Sequence, residues 1–350
     1  MKMKPNVRYL VLGVLLGLVW LTQLIPALAT FYSQTVYPCF SYILSSFSEP
    51  VSFRHRRSIY ISQHCRNHYL SDLHPPAQED TLEKDFLLRD GEYLLWVYVW
   101  FYLAWGLNYS QKNFYQRTEI PYTAYTPENF QKFVNEYITR LNRSYTPINS
   151  INRDLIREET VRLYKQLSDS LGVHRPPHDA PRVKTMMFTP FISMVGVTGS
   201  MGPFFCEFTL NGDLLPANYP ATYAHELAHL LGITSEAEAN FYAYQVCTRS
   251  QAMGIRFSGY FSVLNHVLGN AQRLLPKEEY AKLLKRIRPE IIELAKANQT
   301  YWAAKYSPVV GAVQDWIYDL YLKGNKIESG RRNYSEVIGL LISYQEWKNR

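Results

Sequence analysis

The chain has 350 residues, a formal net charge of +7 and an isoelectric point near 9.0, with 19% charged residues, 15% aromatic residues and 28 tyrosines. That length allows a well-buried core plus appendages, and low charge with many amphipathic rings points to a protein with one end in a bilayer. No run of five or more Lys/Arg occurs and basic residues are interspersed with acidic ones, which argues against a nucleic-acid partner; Cys39, Cys65, Cys206 and Cys247 lie too far apart for a CxxC pair.

Residues 1–30 read as a transmembrane anchor. No charge occurs between Arg8 and Glu49, and Tyr9 to Ala29 is long enough to cross a bilayer as one helix, with Lys2, Lys4 and Arg8 on the cytoplasmic side. The basic start, apolar middle and Ala27-Leu28-Ala29 also fit a cleavable signal peptide, but the uncharged run continues far past that point, which favours a retained anchor. Residues 31–92 read as a linker or membrane-proximal region; within them 51–90 carries RHRR at 54–57, Pro75-Pro76 and an acidic run, and shows no helix or strand period. Residues 93–111 are free of charge and hold the apolar block Tyr93–Leu107, expected to be a second span, with an interfacial or buried helix as the alternatives.

Residues 112–350 read as one globular, mainly helical domain. Helices are expected from Pro127, with Thr126 as N-cap, over 153–171, and after 276 with a proline interruption. Between 183 and 211 apolar residues alternate with small or polar ones, broken by Gly196, Gly199 and Gly202 and closed by Asn211-Gly212-Asp213, which predicts a small sheet. The expected fold class is therefore α+β, mainly helical, with a small β-sheet preceding a motif-bearing helix and transmembrane helices at the N-terminus.

That motif is His225-Glu226-Leu227-Ala228-His229. Residues i and i+4 share a helix face, so the two histidines can present two imidazole nitrogens to one Zn2+, while Glu226 falls beside the ligand set as a candidate general base. Zinc held this way lowers the pKa of a water to roughly 7 and polarises a peptide carbonyl, the chemistry of a peptidase. Thr222 is the expected N-cap of the helix and Gly232 its C′ glycine, so one unbroken helix carries both histidines. Ser235 stands where a metzincin would have its third histidine, leaving Glu236 and Glu238 as candidates for the third ligand; Ser235-x-x-Glu238 reads equally well as a capping box.

The segment HELAHLLGITSEAEANFYAYQVC resembles the signature of the bacterial membrane proteins grouped as domain of unknown function 3810, together with WGLNYSQ at 105–111, PFFCEFTLN at 203–211 and YDLYLKGN at 318–325. The resemblance covers most of the chain from residue 93 onward. Its Glu238-Ala239-Asn240 element is similar to the third-ligand element of gluzincin-like peptidases, which implies His225, His229 and Glu238 as metal ligands, a zincin-like domain in 112–350 and a location in the bacterial inner membrane. The family name leaves the activity open. Relatives resembling this chain continue into a further apolar span where residues 51–90 are polar, which marks that stretch as a divergent insertion or a shifted reading frame.

Tyr223, Tyr260 and His266 are available to stabilise an oxyanion, and Glu207 to orient a histidine, although each residue type is more often used in packing or on a surface. Two classes of function compete. One is a membrane-anchored zinc metallopeptidase acting on a peptide or protein substrate; the other is a non-catalytic membrane assembly protein with a structural metal or none. Glu226 favours the first, because structural zinc usually takes four protein ligands rich in cysteine and leaves no open position for a carboxylate to serve. Counting positive charges gives a preference for an extracytoplasmic catalytic domain.

Overall fold

An apolar run without internal proline gives the first helix, α1 (Pro5–Leu24), in the computed structural model of this chain, which describes residues 5–48, 79–179, 181, 183–312, 315, 316, 325 and 336–350. The chain divides into two compact units: Met1–Gln111 with Pro203–Glu207, and Lys112–Gly202 with Phe208–Arg350.

In the first unit, the proline at 26 forces Ile25 into an extended conformation (φ −103°, ψ 106°), which ends α1. Helical backbone resumes as α2 (Pro26–Phe31), a π turn (Tyr32–Val36) and α3 (Tyr37–Ser48). Helix α4 (Glu79–Ala104) and a 3-10 turn (Gly106–Ser110) complete the unit, with Trp100 Nε1 donating to Phe204 O at 3.1 Å. Residues 79–90 were expected to be irregular and instead form the first half of α4. Their leucines and straight-chain charged residues have good helix propensity even without an amphipathic period. The expectation for 51–78 lies outside the described residues. Among the described residues one helix, Asn6–Leu24, is long and apolar enough to cross a membrane.

The second unit is mainly helical. Helix α5 (Phe114–Thr118) opens on a capping box between Asn113 and Gln116. Helix α6 (Pro127–Ser144) starts as its sequence predicts, with Thr126 accepting from the Asn129 amide, and α7 (Arg153–Leu171) ends on Gly172 in the left-handed region (φ 58°). Strands β1 (Lys184–Thr185), β2 (Gly199–Gly202) and β3 (Glu207–Leu210) form a sheet of order β1-β3-β2, with β1 parallel to β3 in the register Lys184↔Thr209. The sheet is shorter than the alternation suggested, because helix α8 (Thr189–Ser193), led by Pro190, and the left-handed Gly196 (φ 72°) interrupt it. Strand β2 occupies an edge and packs on the motif helix.

That helix, α9 (Tyr219–Leu230), begins earlier than expected. Thr222 is not its N-cap but lies inside it, its hydroxyl donating to Asn218 O at 3.0 Å, and the Ala221 amide is met by Ser258 Oγ at 3.1 Å. A tertiary contact thus does what a local cap would do. Helices α10 (Glu236–Cys247) and α11 (Met253–Ser262) pack against α9; α12 (Leu264–Leu274), α13 (Lys277–Arg286), α14 (Pro289–Lys305) and α15 (Val337–Lys348) follow. The break expected after 276 falls before Pro289, where a helix cannot continue. Ala224, Leu227, Ala228, Phe241, Val246 and Phe257 are all buried, so α9 sits in the middle of the core.

Candidate metal centre

Helix α9 places His225 and His229 one turn apart, and a tight reversal brings the start of α10 back against them. Leu231 caps α9, Gly232 takes φ 89°, and the Ile233 amide returns to Ala228 O at 3.1 Å. Ser235 then caps α10, accepting from the Glu238 amide at 3.3 Å. The first helical residue after it is Glu236, whose Oε2 lies 3.1 Å from His225 Nε2 and 3.6 Å from His229 Nε2. The two Nε2 atoms are 3.1 Å apart. The three donor atoms all lie within 4.8 Å of one another.

Both imidazoles are oriented from behind. His229 Nδ1 faces Ile233 O at 2.6 Å, and His225 Nδ1 faces Asn240 Oδ1 at 2.9 Å. A carbonyl oxygen only accepts, so each Nδ1 carries the hydrogen and each Nε2 turns a lone pair inward. Two imidazole lone pairs and a carboxylate oxygen then converge on one point, an arrangement that repels itself unless a cation or a proton sits among them. The donor types, two nitrogens and one oxygen, suit Zn2+ and leave a fourth position open.

Charge effects agree with that reading. Burial alone would raise Glu236, but the two imidazoles outweigh it and hold the carboxyl well below its usual range. Burial alone would lower His229; Glu236 above all pushes it up, to about 9. Glu226, fully enclosed, is raised by burial against the opposing pull of both histidines, and its Oε2 has no hydrogen-bond partner within the protein. This carboxylate oxygen is therefore free to accept a hydrogen bond from a group that enters the site.

The structure brings together His225, His229 and Glu236, with Glu226 beside them, and places Glu238 elsewhere. Glu238 pairs with Arg117 of α5, which also donates to Lys112 O at 2.7 Å. The reason is helical geometry: residues two apart are rotated by roughly 200° about the axis, so Glu236 and Glu238 leave the first turn of α10 on opposite sides. The signal that separates them in sequence is Ser235, which fixes where α10 starts and therefore that Glu236 is its first residue. Asn240 and Ile233, which orient the imidazoles, were not singled out from sequence.

Of the other candidates, Tyr223 is buried with its hydroxyl turned to Pro181 O at 3.5 Å, and Tyr260 is buried against Tyr137 and Tyr244. Neither is presented to the cluster. His266 of α12 is half-buried and its pKa is lowered by burial and by the proximity of His225. Glu207 is half-exposed on β3 between buried Cys206 and Phe208 and is not part of the cluster.

The family model described as Protein of unknown function (DUF3810) matches residues 32–342. The chain belongs to this family. The match begins after α1 and α2 and takes in the whole His225, His229 and Glu236 cluster. No curated protein and no solved structure matches the chain.

Proposed function

We propose that this DUF3810 member is a zinc-dependent hydrolase of peptide bonds with a zincin-like catalytic domain, anchored to a membrane by α1, and that His225, His229 and Glu236 hold the metal. The observation that carries the reading is the convergence of His225 Nε2, His229 Nε2 and Glu236 Oε2 beside the buried, unpartnered Glu226 carboxylate. Zinc, when bound, supplies a Lewis acid that acidifies water and polarises a carbonyl.

The chain's own residues do the rest. Asn240 and Ile233 O hold the two Nδ1 hydrogens and so keep both imidazoles in the neutral tautomer that ligates. Glu226 Oε2, raised by burial, takes a proton from water and returns it to the leaving amine. The packing of β2 against Glu226 fixes that carboxylate and keeps bulk water from it.

The non-catalytic alternative, a structural metal site, is disfavoured by the same atom: Glu226 contributes nothing to holding a metal, yet it is buried with a free oxygen. The test uses the full chain purified in detergent, incubated with a diverse peptide library with zinc or with a chelator. Hydrolysis should need zinc and fall by about 10² to 10⁴ in Glu226→Gln. Folded, zinc-loaded wild type that cleaves nothing, or cleavage that survives Glu226→Gln, would contradict the proposal.

A further inference from the structure

Helices α1 and α4 of the first unit run side by side in the same direction. Arg8, near the start of α1, pairs with Glu92 of α4 at 2.6 Å, while α1 also packs on the Gly106–Ser110 turn at the far end of α4. Between Glu92 and Lys112 the sequence holds no charge; the helical part of this stretch, residues 93–104, covers about 18 Å and is too short to cross by itself, and with the Gly106–Ser110 turn its contour reaches about 28 Å, close to the hydrocarbon thickness of a bilayer. Arg8 to Leu24 on α1 covers about 24 Å over the same level.

Both helices carry apolar side chains outward. Leu10 (68% exposed), Leu24 (77%) and Val14 on α1, and Tyr93, Leu94 (64%) and Leu95 on α4, are exposed. Leu12, Val19 and Val99 are buried within the unit. A surface of this kind is costly in water and fits hydrocarbon, with the Arg8–Glu92 pair at one interface and Lys112 at the other.

From these contacts we infer that the uncharged part of α4 together with the turn after it makes a second membrane crossing parallel to α1, and that the chain leaves this crossing at Lys112 on the extracytoplasmic side. Two parallel crossings require a return between them. The helical backbone from Pro26 to Ser48 is unbroken and uncharged, and at about 1.5 Å per residue it is long enough to make that return. Charge placement sets the sense: Lys2 and Lys4 precede the first crossing in sequence and Arg8 opens it, so the start of α1 lies on the cytoplasmic side, as the positive-inside rule requires.

The experiment places single cysteines in the full chain with Cys39 and Cys65 replaced by serine, the buried Cys206 and Cys247 being left in place. Arg89→Cys and Lys112→Cys are exposed positions at the two ends of the proposed crossing. A membrane-impermeant maleimide applied to intact bacterial spheroplasts should label Lys112→Cys at once and Arg89→Cys only after permeabilisation; Asp90→Cys serves if Arg89→Cys is not produced. Labelling of both positions from outside, of neither, or of position 89 alone overturns the inference. None of these outcomes depends on zinc or on hydrolysis, so failure here is distinct from failure of the catalytic reading.

Discussion

Gly199, on edge strand β2, lies directly against the Glu226 carboxylate. A Cβ at this position would come within 2.6 Å of both Cδ and Cγ of Glu226, closer than carbon atoms approach without one of them moving. Glu226 is enclosed on all sides, so it cannot swing away freely. Gly199→Ala should therefore displace the proposed base while leaving the ligands alone. Zinc content is expected to stay close to wild type and the melting temperature to fall by several degrees, as overpacking costs about 1–3 kcal/mol, with kcat down by about 10²-fold, the scale that follows from misplacing a reacting group by an ångström. A Gly199→Ala variant with wild-type kcat would show that the contact has no bearing on the chemistry.

Glu238 and Arg117 form an ion pair with side chains only 13% and 9% exposed. Removing one partner strands a charge in a poorly hydrated place, which costs about 3 kcal/mol or more. Chemical denaturation should show Glu238→Ala destabilised on that scale, and the folded variant should still bind zinc. Arg117→Met with Glu238→Met should recover much of the loss, because the stranded charge is gone.

Asn240 touches His225 but no other member of the cluster, so its effect runs through ring orientation. Asn240→Ala is expected to weaken zinc binding by about 10- to 100-fold, read by competition with a chromophoric chelator. Asn240→Asp, which keeps an acceptor facing Nδ1, should bind more tightly than the alanine variant. Equal affinities for the two would mean that Asn240 acts only by packing.

Acidity couples to the metal with a definite sign. His229 is raised to about 9, so in the metal-free protein at neutral pH it holds a proton that zinc must expel. Calorimetric binding enthalpies at pH 7 should vary with the ionisation enthalpy of the buffer, corresponding to release of about one proton. Affinity should fall as pH drops, since protons compete for the same nitrogen. For the metal-free fold, the His229 contribution is full below the ordinary histidine value and is lost as pH rises through about 9. Glu236, held below its usual range, contributes above the ordinary carboxylate value and its contribution is lost on acidification.

Much of the helical framework is legible in the chain itself. Thr126-Pro127 announces α6, Gly172 ends α7, Gly232 ends α9, and Pro289 splits α13 from α14, because each signal acts within a few residues of the boundary it sets. The start of α9 is not legible that way: Thr222, the expected cap, lies inside the helix, and the Ala221 amide near the true start is satisfied by Ser258, distant in sequence. Nor is the sheet: alternation from 183 to 211 is real, but Pro190 and Gly196 divide it into short strands around α8. The two histidines and Glu226 stand out because their spacing matches the helix period. Which glutamate joins them depends on where α10 begins and on Arg117 drawing Glu238 away, a contact across 121 positions that no local pattern contains.

If His225, His229 and Glu236 form one zinc site, metal content must follow these side chains and no other carboxylate. Elemental analysis of the purified full chain, after zinc loading and removal of loose metal, tests it directly in wild type, Glu236→Gln, Glu238→Gln and Glu226→Gln. About one zinc per chain is expected in wild type, Glu226→Gln and Glu238→Gln, and a loss confined to Glu236→Gln. Folded wild type without zinc, or loss in Glu238→Gln with retention in Glu236→Gln, would contradict it.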